Sequence, residues 1–249
     1  MLYVTAPVLG NVNHGFWGRN GGVSTGHFGS MNLAVTKGDT TDNVRRNREI
    51  ISQTINAQLL TVEQVHGNDV AIVDKPWEFL DPQTPKVDAI VSNTPGIAIG
   101  IITADCVPIL IHDPINKTIA AIHAGWRGAH KGVIASTIKA MQSLGCQSEN
   151  LICAIGPCIQ QDNYEVSVHL YDDFTRINPT YALYFKPKGD RYNFDLMGTV
   201  KDQLLSSGIK QIENTGICTY DDELNYFSCR RATHKQEPTF GCQLSFIAL

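Results

Sequence analysis

Three segments of the chain each end an apolar run on a side chain able to ligate a metal. LTVEQVHG (60–67) ends at His66, IAIGIITADC (97–106) turns at Asp105 and Cys106, and TIAAIHAGWRG (118–128) reaches His123 before two glycines. A buried strand that stops at such a residue delivers it to a sheet edge, where three of them can converge. Imidazole, thiolate and imidazole form a three-ligand zinc set, and the fourth position is then open to water or substrate. A metal in that setting lowers the pKa of bound water towards about 7. Asp105 is the nearest acid and is expected either to move a proton or to orient a ligand. With two His and one Cys the set also suits copper, although a blue-copper site wants a weak axial ligand such as Met. A third chemistry needs no metal: Cys106 as nucleophile with His123 or His66 as its base.

Other residues could hold a substrate. Gly125-Trp126-Arg127-Gly128 lies between a strand and an expected helix, where free backbone N–H groups and Arg127 would favour an anion. Arg48, in NVRRNREI, is a second candidate phosphate clamp, and Asn47 and Gln64 are candidate hydrogen-bonding partners. The aromatics Tyr181, Tyr184, Phe185 and Tyr192 offer a non-enzymatic alternative, a binding module with an aromatic partner surface.

The elements that must position these residues read as a mixed-sheet α+β fold, in a single domain over 1–249. Apolar runs at 60–65, 69–73, 87–92, 97–103, 108–112 and 118–123 have strand length and are rich in Ile and Val. VNHGFWG (12–18) and LICAIG (151–156) add two strands, and DPINK (113–117) is a hairpin turn. Helices are expected from the GDTTDN cap to about 56, over 129–144, and finally over 195–206. No GxGxxG opens a helix, so a dinucleotide fold is not indicated.

Composition excludes whole classes. Lys+Arg 20 against Asp+Glu 24 gives a net charge of −4, too weak and of the wrong sign for nucleic acid or an anionic membrane. The longest apolar run, 97–102, falls far short of the ~20 residues of a membrane span. Seven Cys, an odd number, and no secretory-type start lead to the expectation of a cytoplasmic protein. Eight His with no H-x-H pair are poor material for a trinuclear copper cluster.

Taken in order, RNGGVSTGHFGSMNLAVTKGDTTDNVRRNR, QVHG, VDAIVSN, TADCVPILIHD, AAIHAGWRG, AIGPCI, YEV, ICTY and FSCRR closely resemble the bacterial laccase-like multicopper polyphenol oxidoreductases. Members of that family are also described as purine nucleoside phosphorylases with adenosine deaminase activity, and one branch as a peptidoglycan editing factor. The resemblance implies a mixed β-sheet sandwich flanked by helices, with zinc on His66, Cys106 and His123 and copper as the alternative metal. It implies small-molecule partners, a nucleoside and phosphate, the nucleosides being adenosine, inosine, guanosine and methylthioadenosine. It also keeps open a peptidoglycan-precursor hydrolase using Cys106 and a polyphenol oxidase. Near the C-terminus, Arg230-Arg231-Ala232-Thr233-His234 and Cys242 stand where members commonly carry RRDG and a further Arg.

Overall fold

The computed structural model describes residues 3–249. Two β-sheets face each other. One has five strands in the order β1 (Tyr3–Val4), β2 (Asn13–Trp17), β14 (Gln243–Ala248), β6 (Ile97–Thr103), β3 (Gln58–Thr61). The other has six: β13 (Gln211–Asn214), β9 (Ile152–Ile155), β7 (Val107–Asp113), β8 (Thr118–Ala124), β5 (Ala89–Ser92), β4 (Val70–Ile72). Both mix parallel and antiparallel pairings: β3 runs parallel to β6 while β14 runs antiparallel to it.

The side-chain period of two explains how the layers are built. In β8, Ile119 and Ala121 point into the space between the sheets, with Leu60, Ile99 and Leu110. Ala120, Ile122 and Ala124 point the other way, against α3 (Val133–Ser143), α5 (Leu196–Ser206) and neighbouring helices. Both faces of the six-stranded sheet are thus buried, which is why its strands read as unbroken apolar runs. The same period puts His123 on the inter-sheet side, near the end of β8. The five-stranded sheet is covered on its outer face by α1 (Thr41–Ile55). Thr40 caps α1 by accepting from the Asn43 N–H at 3.2 Å, and the helix stops at Asn56, which adopts φ 52°. Its buried face carries Val44, Ile51 and Ile55, but also Asn47 and Arg48.

Several expectations need correction. The run 60–65 is a strand only over Gln58–Thr61; beyond it the chain leaves the five-stranded sheet to reach β4 in the other. The helix expected over 129–144 is two: α2 (Trp126–Lys131) and α3, broken at Gly132, whose φ of 86° no helix accommodates. A helix not foreseen, α4 (Val168–Ile177), precedes α5, and α6 (Cys229–His234) follows it, so 195–206 is not the last helix. Of the aromatics singled out over 181–194, Phe185 is buried and Tyr181, Tyr184 and Tyr192 are partly buried against the same core, in place of the exposed cluster expected. Together β10 (Glu165–Val166), β12 (Arg191–Phe194) and β11 (Phe185–Lys188) form a small third sheet. Phe185 stacks on Phe194 at 4.3 Å and Tyr192 on Tyr171 at 4.4 Å.

Candidate metal centre

His66 and Cys106 both lie where the chain crosses from one sheet to the other. His66 is in the connection from β3 to β4, and Cys106 in the three-residue connection from β6 to β7. His123 comes from β8, beside β7. The potential ligand atoms of His66, Cys106 and His123 all lie within 4.8 Å of one another. The two imidazoles meet edge to face, their centroids 4.7 Å apart.

The group that holds this trio together is Asp88, a fully buried carboxylate that precedes β5. Its Oδ1 accepts from His123 Nδ1 at 2.7 Å and from the His66 backbone N–H at 2.9 Å. Its Oδ2 accepts from the backbone N–H groups of Val65 and Gly67 at 3.2 and 2.6 Å. One carboxylate therefore fixes the tautomer of one histidine and the backbone of the other. With Nδ1–H given to Asp88, His123 keeps Nε2 free as an electron-pair donor, the arrangement carboxylates impose on metal-bound histidines. His66 itself sits at φ 57°, a left-handed conformation that the three N–H bonds to Asp88 sustain. Desolvation works against ionised Asp88, but these hydrogen bonds and the His123 charge hold its pKa below the ordinary value. Sequence reasoning quoted VDAIVSN without singling out this residue. What the sequence does show is an acid set directly before the apolar run Ala89-Ile90-Val91.

Gly125, which caps α2, closes the opposite side. A Cβ there would lie 3.0 Å from His66 Cδ2 and 3.1 Å from Cys106 Sγ, so only glycine leaves the ligands this close to the backbone. Burial alone would push the Cys106 thiol up, yet the imidazoles of His123 and His66 outweigh it and bring its pKa down to about 6. Burial likewise opposes charge on His123, but the Cys106 thiolate and Asp88 raise it well above the usual imidazole range. Each group thus favours the charged form of the other, thiolate beside imidazolium. The soft thiolate, two imidazoles and a carboxylate behind one of them form a donor set that fits a single transition-metal ion.

Asp105 stands in the connection beside Cys106 at φ 87°. Its Oδ1 accepts from Thr219 Oγ1 at 2.7 Å and its Oδ2 from the Arg230 N–H at 2.6 Å, while its carbonyl accepts from the Ile159 N–H. Burial raises its pKa. Asp105 thus ties the Cys106 turn to three distant segments.

The trio opens onto a cavity of about 520 Å³. Arg48 and Gln64, among the expected substrate contacts, line it, as do Thr61, Thr103, Trp77, Phe79 and Phe240. Gln64 spends both ends of its amide on the backbone of Ile102, donating at 2.7 Å and accepting at 2.7 Å. Asn47 is fully buried away from the cavity and ties down the glycine-rich loop: it accepts from the Val23 N–H and donates to Ser24, Ser30 and Asn32. Arg127 is exposed, stacked on its neighbour Trp126 at 4.3 Å, and does not line the cavity.

Residues 13–249 match the model of a family described as multi-copper polyphenol oxidoreductase laccase. Over 91% of this chain and 92% of the relative, the sequence is 34% identical to a Streptomyces griseus protein named purine nucleoside phosphorylase ORF3. It is 33% identical to purine nucleoside phosphorylase YfiH of Escherichia coli (strain K12), over 93% and 91% of the two chains. The fold superposes on Neisseria meningitidis protein NMB0706 with a TM-score of 0.89 at 31% identity, covering 100% and 99% of the chains. On YlmD from Geobacillus stearothermophilus the TM-score is also 0.89, at 26% identity over 99% and 98%. With a family model matched along nearly its whole length, around a His–Cys–His group of the kind the resemblance implied, the chain belongs to the laccase-like multi-copper polyphenol oxidoreductase family.

Proposed function

We propose that the protein is a metal-dependent purine nucleoside phosphorylase, with zinc on His66, Cys106 and His123 and adenosine deamination as a second activity of the same centre. The observation that carries this reading is the Asp88-anchored trio opening onto a cavity of nucleoside size with aromatic walls. The names of the relatives supply the substrate class. When bound, zinc supplies Lewis acidity to a substrate oxygen or water.

The chain's own residues do the rest. Asp88 holds His123 in the ligating tautomer and His66 in register. Asp105 is a positioning residue: with both carboxylate oxygens engaged, it fixes the turn that aims Cys106 at the centre. Trp77 provides flat apolar surface for a purine. In phosphorolysis a phosphate oxygen bonds to C1′ as the C1′–N9 bond breaks, and the purine leaves with that electron pair and takes up a proton.

Copper oxidase chemistry is less well supported. Among the described residues a single His–Cys–His group is suited to metal, and no methionine lines the cavity to serve as axial ligand. The thiolate–imidazolium character of Cys106 and His123 favours one second reading, a cysteine hydrolase acting on a peptidoglycan precursor.

Incubation with adenosine, with and without phosphate, separates these readings. Adenine formed only with phosphate is the expected result, and inosine formed in either buffer registers deamination. If neither forms while metal-free protein cleaves a muropeptide precursor, the hydrolase reading replaces the first. Metal analysis of protein purified without chelator is expected to return one zinc per chain.

A further inference from the structure

Arg48 is an anomaly of the helix that carries it. It lies on the buried face of α1 at 7% exposure, whereas its neighbours Arg45 and Arg46 are exposed and pair with Asp42 and Glu49. Among the described residues no carboxylate pairs with Arg48. Its guanidinium gives one N–H to Thr61 Oγ1 at 2.9 Å and another to the Leu59 carbonyl at 3.2 Å. The face of the group lies over the Phe79 ring, 4.7 Å from its centroid. A guanidinium has five N–H donors, all in its plane. Stacking occupies the face and the two hydrogen bonds occupy two donors, so three remain in the plane, and Arg48 borders the cavity.

Desolvating a cation without a counter-charge is costly, and folds pair such groups or supply the partner as a ligand. Burial alone accounts for the drop of the Arg48 pKa to about 10, a value at which it is still fully charged at neutral pH. Two hydroxyls line the same cavity. That of Thr61 accepts from Arg48 and retains its own proton to donate, and that of Thr103 is buried with no hydrogen-bond partner. Apart from Arg48, Lys37 is the sole Lys or Arg on the cavity wall, and it is exposed, with its ammonium over Phe240 at 4.4 Å.

We propose that Arg48, with the hydroxyls of Thr61 and Thr103, forms an oxyanion subsite that holds inorganic phosphate for attack on the nucleoside. This rests on the phosphorylase reading and places the second substrate on the α1 side of the cavity, not at the start of α2 by Arg127. Planar in-plane donors suit two oxygens of one tetrahedral anion. Phe79 holds the guanidinium flat before the anion arrives, so that little side-chain freedom is lost on binding.

The test is calorimetric titration of inorganic phosphate into the unaltered protein, metal-free and zinc-loaded, at constant ionic strength, with acetate as a parallel arm. Saturable phosphate binding in both forms, exceeding that of acetate, is expected. Arg48→Met should weaken phosphate binding at least tenfold, and Arg45→Met, one helical turn away on the exposed face, should leave it unchanged. Should Arg48→Met not fold, phenylglyoxal labelling of the unaltered protein gives the same answer: phosphate should slow modification of the peptide that contains Arg48. No phosphate binding, a preference for acetate, or undiminished binding in folded Arg48→Met (undiminished labelling if it does not fold) would overturn the assignment. Phosphate bound through Arg48 by a protein that cleaves no nucleoside would leave the subsite standing and remove the phosphorylase reading instead.

Discussion

At the scale of single residues, Asp88 decides the chemistry of the centre without touching the metal position. Replacing it with Asn keeps the shape but offers an amide where His123 and three backbone N–H groups need acceptors. Asp88→Asn is expected to lower zinc affinity 10–100-fold, measured by competition with a chromogenic chelator. The titration of Cys106 is a second prediction. In metal-free protein its thiolate absorbance at 240 nm should develop with a midpoint near pH 6, against 9.0 for an ordinary thiol. The sign follows from charge: His123 as imidazolium favours the thiolate, so His123→Asn should move that midpoint upward. Because the folded-state pKa is depressed, stabilisation from the thiolate is fully present only above the unfolded pKa and fades as pH falls through 6. His66, Cys106 and His123 were legible in the sequence because each ends an apolar run. Asp88 was not, since a lone acid before a strand carries no sign of the four hydrogen bonds it will accept. Asn47 and Gln64 were read as substrate contacts because polar residues near glycine-rich loops and strand ends look available; the structure shows their amides engaged with backbone.

At the scale of elements, the centre depends on turns where backbone must pass close to side chains. Gly125 is the sharpest case. Gly125→Ala would put a methyl 3.0 Å from His66 Cδ2 and 3.1 Å from Cys106 Sγ, so both ligands must give way. It should reduce bound zinc below half an equivalent per chain while far-UV circular dichroism stays unchanged. Gly132 serves a different end, letting the chain turn between α2 and α3. Gly132→Ala forces a left-handed conformation on a residue with a Cβ, at a cost of about 1–2 kcal/mol read in a denaturant titration, with zinc content retained. The break at Gly132 was hidden in the sequence because Ile134, Ile138 and Met141 keep helical spacing beyond it. The strands were far more legible, since burial on both faces of the six-stranded sheet leaves uninterrupted apolar runs. α4 escaped notice although Leu170, Tyr171 and Phe174 share one face, because at ten residues it is short and lies outside the long apolar runs.

At the scale of the whole molecule, stability resides in the apolar layers on both faces of the six-stranded sheet and reactivity at its edge, and the two are separable by mutation. Leu110 is fully buried in the inter-sheet core, far along β7 from Cys106. Leu110→Ala is expected to cost about 2–5 kcal/mol of unfolding free energy. Zinc stoichiometry measured well below the lowered melting temperature should stay at one. The mixed α+β character could be foreseen from irregular alternation of strands and helices and the sandwich from the family resemblance, but the pairing order of the strands could not: β14 joins β2 and β6 across most of the chain length.

The placement of His66 and Cys106 on two connections that pass between the sheets has a mechanical side. The sheets resemble a pair of jaws, and the three-residue link that carries Cys106 is their shortest hinge. His123 belongs to one jaw, while His66 and Cys106 ride on the straps joining it to the other. An ion gripped by all three would rivet both straps to that jaw, adding a clamp at the edge where the packed inter-sheet core ends.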